Sequence, residues 1–175
     1  MSKLNVFLIL CLAFLSGMSL QAQDYEYIGA LKCKMCHNKS TTGKQYTIWS
    51  EGPHAKAMET LKTDAAKKIA SEKGIADPAT ADACVKCHST TGHTDAKLHL
   101  SITQEEGVSC ETCHGPGSVY KSMAIMKSRE KSLENGLIIP DENLCKQCHN
   151  DESPTFKGFD FAEYSKEIAH PNPAK

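Results

Sequence analysis

Beyond residue 22 the chain contains eight cysteines, and all eight fall into one repeated pattern. The copies are Cys33-Lys34-Met35-Cys36-His37, Cys84-Val85-Lys86-Cys87-His88, Cys110-Glu111-Thr112-Cys113-His114 and Cys145-Lys146-Gln147-Cys148-His149, here motifs 1 to 4. Two thiols three positions apart lie on one side of a helical turn. There they can add across the two vinyl groups of one porphyrin, and the next residue presents its imidazole to the iron as proximal ligand. C-x-x-C-H is the attachment sequence for c-type haem. Zinc sites and redox-active dithiols also use C-x-x-C pairs, but neither requires the histidine that follows. Disulfides within such pairs would staple very little chain. Four copies that use every cysteine after residue 22 therefore point to four covalently bound haems c.

Composition agrees with a chain that does not fill its own interior. From residue 23 onward only 22 of 153 residues are Leu, Ile, Val or Phe. Below roughly 20% of these types, a sequence struggles to offset the entropy of ordering. Yet 20 Lys+Arg face 21 Asp+Glu, and disordered chains usually carry a strong charge imbalance. Four large, mostly apolar porphyrins resolve the conflict by standing in for the missing aliphatic core. Their propionates also make the loaded protein more acidic than its sequence, which argues against nucleic acid as a partner. Such a surface is compatible with basic redox partners.

Residues 1–22 have the layout of a secretory signal peptide: Lys3, the apolar run Leu4 to Leu15, then small and polar residues to Ala22. The expected domains are thus a signal peptide at 1–22 and a tetrahaem domain at 23–175, delivered to the periplasm. The ninth cysteine, Cys11, lies inside the leader without the small neighbours of a lipid-attachment site. No later stretch is apolar enough to span a bilayer.

Each motif supplies one histidine, His37, His88, His114 and His149, which leaves His54, His93, His99 and His170. Four haems need at most four distal ligands, so these four are the candidates, and histidine ligation keeps potentials low. Met58, Met123 and Met126 are alternatives, but flexible apolar packing against porphyrin is the simpler reading.

The fold class expected is mainly α, a small multihaem cytochrome with helices and loops wrapped around its cofactors. A helical pattern runs over 45–69 with a break at Gly52-Pro53. Asp77-Pro78 and Pro140-Asp141 mark helix starts before motifs 2 and 4. Gly115-Pro116-Gly117 closes motif 3 with a turn, allowing the backbone close to a porphyrin face. Residues 118–133 and 161–169 are further helices, and no stretch alternates as a strand.

Several blocks resemble the tetrahaem cytochrome c-554 family: Tyr27-Ile28-Gly29, Trp49, His54-Ala55-Lys56-Ala57-Met58-Glu59-Thr60-Leu61-Lys62, motif 2, and Gly107-Val108-Ser109 running through motif 3 to Gly117. The resemblance implies a periplasmic electron carrier with closely packed haem pairs, in which His54 is a distal ligand. It also implies one five-coordinate haem, at the position of His88. The sequence departs from the family where a distal histidine is expected after the Gly-Pro-Gly turn, since residues 117–143 contain none; His93 and His99 appear instead. The function expected is single-electron transfer between a donor and an acceptor redox protein, with a membrane-associated respiratory complex among the candidate partners. The alternative is a reductase of a small nitrogen or sulfur oxide at an open haem iron.

If the cofactors form the core, folding is coupled to their attachment. The polypeptide without haem is expected to be largely unfolded by circular dichroism, and a cooperative, native-like melt would contradict this.

Overall fold

The computed structural model describes residues 24–173; the leader proposed at 1–22 lies outside them. Eleven short α-helices follow one another among the described residues: α1 (Ala30–His37), α2 (Gln45–Glu51), α3 (Ala57–Thr60), α4 (Asp64–Glu72), α5 (Asp82–His88), α6 (Thr90–His93), α7 (Cys110–His114), α8 (Met123–Met126), α9 (Arg129–Glu134), α10 (Glu142–Lys146) and α11 (Phe161–Ile168). Single turns of 3-10 helix and loops join them. The described residues contain no strand, only one parallel bridge between Tyr27 and His99. The mainly helical expectation holds.

The longest of these helices, α4, has nine residues, and isolated helices of that length are unstable in water. Tertiary contacts must therefore hold them, and side-chain caps decide where they start. The pattern over 45–69 breaks at Gly52-Pro53 as expected. It breaks again before α4, where the Thr63 hydroxyl accepts from the Ala66 amide and starts a new helix. The single helix expected over 118–133 is two, because the Ser128 hydroxyl accepts from the Lys131 amide and caps α9. Asp77-Pro78 begins a turn rather than α5, since the Asp77 carboxylate accepts from Ala79 N at 2.9 Å. Asp141 and Asp160 cap α10 and α11 in the expected places. Gly115 at φ +75 turns the chain after motif 3, and its close neighbours are the Gly136 carbonyl and Ile138.

The apolar interior is as thin as the composition suggests. Buried apolar residues are Ile28, Ala30, Met58, Leu61, Ala70, Val85, Ile102 and Tyr120, and only Met58, Leu61 and Val85 cluster. Polar contacts carry much of the rest. Thr90, fully buried, joins the end of motif 2 to the start of motif 3: its amide donates to Gly107 O (2.9 Å) and its hydroxyl accepts from Ser109 N (2.8 Å).

Glu111 does the same for motifs 3 and 1. Buried to 1% exposure, its carboxylate accepts from Ile28 N (3.0 Å) and Gly29 N (2.7 Å), just ahead of α1, and from Gly117 N (2.6 Å). Glu106 adds a second carboxylate by accepting from Ala30 N at 2.7 Å. Burial raises the Glu111 pKa; the three amide donors oppose that shift. Both oxygens face N–H donors, so an amide nitrogen in place of either meets another donor. Glu111→Gln is therefore expected to cost about 2–3 kcal/mol in denaturant unfolding of the holoprotein; a neutral result would show that the clamp is dispensable.

Candidate functional site

The attachment motifs begin on helices, which puts each first thiol and its partner on one side of a turn. Motifs 1, 2 and 3 lie wholly inside α1, α5 and α7; in motif 4 only Cys145 and Lys146 lie in α10, and Cys148-His149 follow in the next turn. None of the eight described cysteines is in a disulfide. Among the described residues no three His, Cys, Asp or Glu side chains converge on one ion position.

The thiols of the four motifs influence one another in a series. The Cys110 thiol of motif 3 donates to the Cys33 sulfur of motif 1, which lowers the Cys33 pKa and raises its own. Cys113 of motif 3 lies beside Cys145 of motif 4, and burial followed by that neighbour raises its pKa to about 11. Cys148 of motif 4 is raised to about 12, first by burial and then by Cys87 of motif 2, to which it also hydrogen bonds. The sequence of contacts is thus motif 1, motif 3, motif 4, motif 2.

The imidazoles show which groups could hold iron. His88 Nδ1 lies 2.7 Å from the Ala57 carbonyl oxygen. A carbonyl only accepts, so Nδ1 carries the proton and Nε2 keeps the lone pair for a metal. His114 Nδ1 faces the Ile138 carbonyl in the same sense at 3.4 Å. Two of the four candidate distal histidines meet a motif histidine. His54 and His149 have ring centres 6.0 Å apart with planes at 63°, and His114 and His170 are 5.9 Å apart at 51°. Two imidazoles on opposite sides of one metal, each bonded at about 2 Å, have ring centres about 6 Å apart. Burial is the main cause lowering the pKa of all four rings, which favours the neutral form that binds metal. These pairs fit a haem c at motifs 4 and 3.

Local structure explains both placements. The His54 carbonyl accepts from Val108 N (3.0 Å), and Trp49 Nε1 donates to Val108 O (2.9 Å). His170 arrives because the C-terminal tail folds back beyond α11: Gln45 Nε2 donates to Pro171 O at 2.9 Å, and Pro173 lies against Gly43. His149 is backed by Phe159, stacked at 4.8 Å and 19°, and Phe159 by Tyr164 at 5.3 Å and 24°.

The other candidates make different contacts. His93 Nε2 lies 2.8 Å from Gln147 Oε1 inside motif 4, and His99 Nε2 lies 2.7 Å from Thr94 Oγ1 with its ring edge-on to Tyr27. His93 also lines a cavity of about 320 Å³ with Tyr27, Glu111, Thr112, Leu144 and Gln147. His37 lies near both His114 and His170. Sequence reasoning overlooked Glu111, Thr90 and Phe159. Glu111 did leave a signal, as the one carboxylate inside a C-x-x-C pair.

The family model "Cytochrome c554 and c-prime" matches residues 32–115, which hold motifs 1 to 3 and His54. Cytochrome c-554 of Nitrosomonas europaea is 36% identical, over 82% of this chain and 66% of its own length. The C-type polyheme cytochrome OmcC of Geobacter sulfurreducens is 29% identical over 42% of this chain and 15% of its own. The chain thus spans about two thirds of the first relative and a small part of the second. No solved structure gives a significant match.

Gly107 sits at φ +66, and a Cβ there would lie 2.6 Å from the His54 carbonyl oxygen. Gly107→Ala is expected to cost about 1–3 kcal/mol and to displace His54 from His149, with a change in the haem spectrum. A variant with wild-type spectrum and stability would contradict the placement of His54.

Proposed function

The chain belongs to the cytochrome c-554 family, and on that premise we propose that it is a periplasmic electron-transfer protein with four covalently bound haems c. The observation that carries this reading is that all four motifs neighbour one another: Cys33 with Cys110, Cys113 with Cys145 and Cys148 with Cys87. Four attachment sites that adjoin in one series serve movement of charge along the protein; a lone binding site needs no such series.

Bound haem supplies a one-electron iron couple. The polypeptide supplies anchoring, ligands and exclusion of water. The eight motif cysteines form the thioether anchors. His37, His88, His114 and His149 are the proximal ligands, held in orientation at His88 by the Ala57 carbonyl and at His149 by Phe159. His54 is the distal ligand at motif 4, and His170 that at motif 3. His93 and His99 are held by Gln147 and Thr94 and serve as neighbours rather than ligands. The partners are a donor and an acceptor redox protein. No helix of the described residues is long and apolar enough to cross a membrane.

One observation favours a second reading at motif 2. The ring contacts of the described residues bring no second imidazole to His88 or His37, and His88 is the position where the family resemblance implies an open iron. A site so arranged suits reduction of a small nitrogen or sulfur oxide, and a high-spin ferric component in the oxidised protein would favour it.

A mediated redox titration followed by electron paramagnetic resonance tests the proposal. Four one-electron couples are expected, with two sites carrying paired imidazoles. His54→Ala and His170→Ala should each abolish the low-spin signal of a different site. Absence of reversible couples would overturn the electron-transfer reading, and variants with unchanged spectra would overturn the ligand assignment.

A further inference from the structure

Helix α1 is exposed along most of its length. Ala30 is its one buried residue, and Cys36 is the one exposed cysteine among the described eight. At about 100° per residue, Cys33, Cys36 and His37 share one side of α1, while Leu31 and Met35 fall on the opposite side. A cofactor held by the first set therefore leaves the second free. Leu31 is 65% exposed and Met35 74%, the two most exposed large apolar side chains among the described residues. Lys32 and Lys34 flank that apolar pair, one on each side, and Lys39 follows the helix; all three are exposed. Lys34 is steadied over the Tyr46 ring at 5.1 Å.

The segment that carries this face differs in charge from the rest of the chain. Residues 30–73 contain nine lysines and four carboxylates, a formal +5, whereas residues 74–175 contain ten Lys+Arg and fifteen carboxylates, a formal −5. Lysines in the other motifs are neutralised: Lys86 pairs with Glu152 and Lys146 with Glu142 at 2.7 Å. Lys32 and Lys39 pair with no carboxylate among the described residues. Near-neutral net charge conceals a basic segment, residues 30–73, which holds motif 1.

We infer that the outer face of α1, with Leu31 and Met35 at its centre and Lys32, Lys34 and Lys39 at its rim, is the docking surface for an acidic redox protein. This rests on the electron-carrier reading. The apolar centre suits a desolvated contact and the lysine rim steers an anionic partner into register. The acidity of the whole chain had pointed toward basic partners; the local charge at motif 1 selects the opposite sign there.

The test uses the holoprotein on gold coated with a carboxylate-terminated monolayer, a fixed anionic probe. Native protein should exchange electrons readily at low salt, and the rate should fall as salt screens the contact. Lys32→Glu with Lys39→Glu should slow exchange about tenfold or more. Lys127→Glu with Lys166→Glu, the same charge change at exposed positions of the acidic segment, should leave it unchanged. Equal slowing by both pairs, or by neither, overturns the docking surface. So does a concentration-dependent dimer in sedimentation that Lys32→Glu with Lys39→Glu dissolves, because a second copy would then be the occupant. Mediated titration of every variant separates the two proposals. Native couples with altered electrode rates support docking, native couples with unaltered rates overturn docking alone, and absence of couples in the native protein overturns the carrier reading.

Discussion

A porphyrin held by two thioethers and an imidazole needs only one turn of helix to bind it. That requirement sets the scale of the rest of the chain. Helices of four to nine residues cannot stand alone, and the side chains supply only a small apolar cluster at Met58, Leu61 and Val85. The burial that stabilises an ordinary domain of this length must come largely from cofactor surface. Sequence, composition and fold all express this one dependence.

Where cofactor surface is not the cement, the chain uses buried polar clamps placed between motifs. Glu111 reaches from motif 3 to the amides ahead of motif 1, and Thr90 joins the end of motif 2 to the start of motif 3. Both fix the spacing of neighbouring attachment sites. The C-terminal tail adds a third tie by bringing His170 to His114 and closing on Gln45. These contacts join distant stretches of sequence, so the order in which motifs adjoin differs from their order along the chain.

That difference marks what the sequence could reveal. The motifs themselves, the helical class and the helix starts at Asp141 and Phe161 were legible because each depends on residues close together in sequence. The two extra helix breaks, at Thr63 and Ser128, arise from hydroxyl caps inside otherwise helical patterns. The meeting of His170 with His114 and of His54 with His149 depends on tertiary return of the tail and on the Val108 contact with His54, which no local pattern encodes. The charge difference between residues 30–73 and the remainder is also written in the sequence, and it gained meaning once α1 was seen to be exposed.

The central claim is that this polypeptide folds around four covalently attached haems. Intact mass measurement of the protein purified from its native compartment tests it most directly. The account predicts a chain beginning near Gln23 whose mass exceeds that of the polypeptide by four haems, resistant to acid–organic extraction. A mass lacking haem, or one carrying fewer than four, would contradict it.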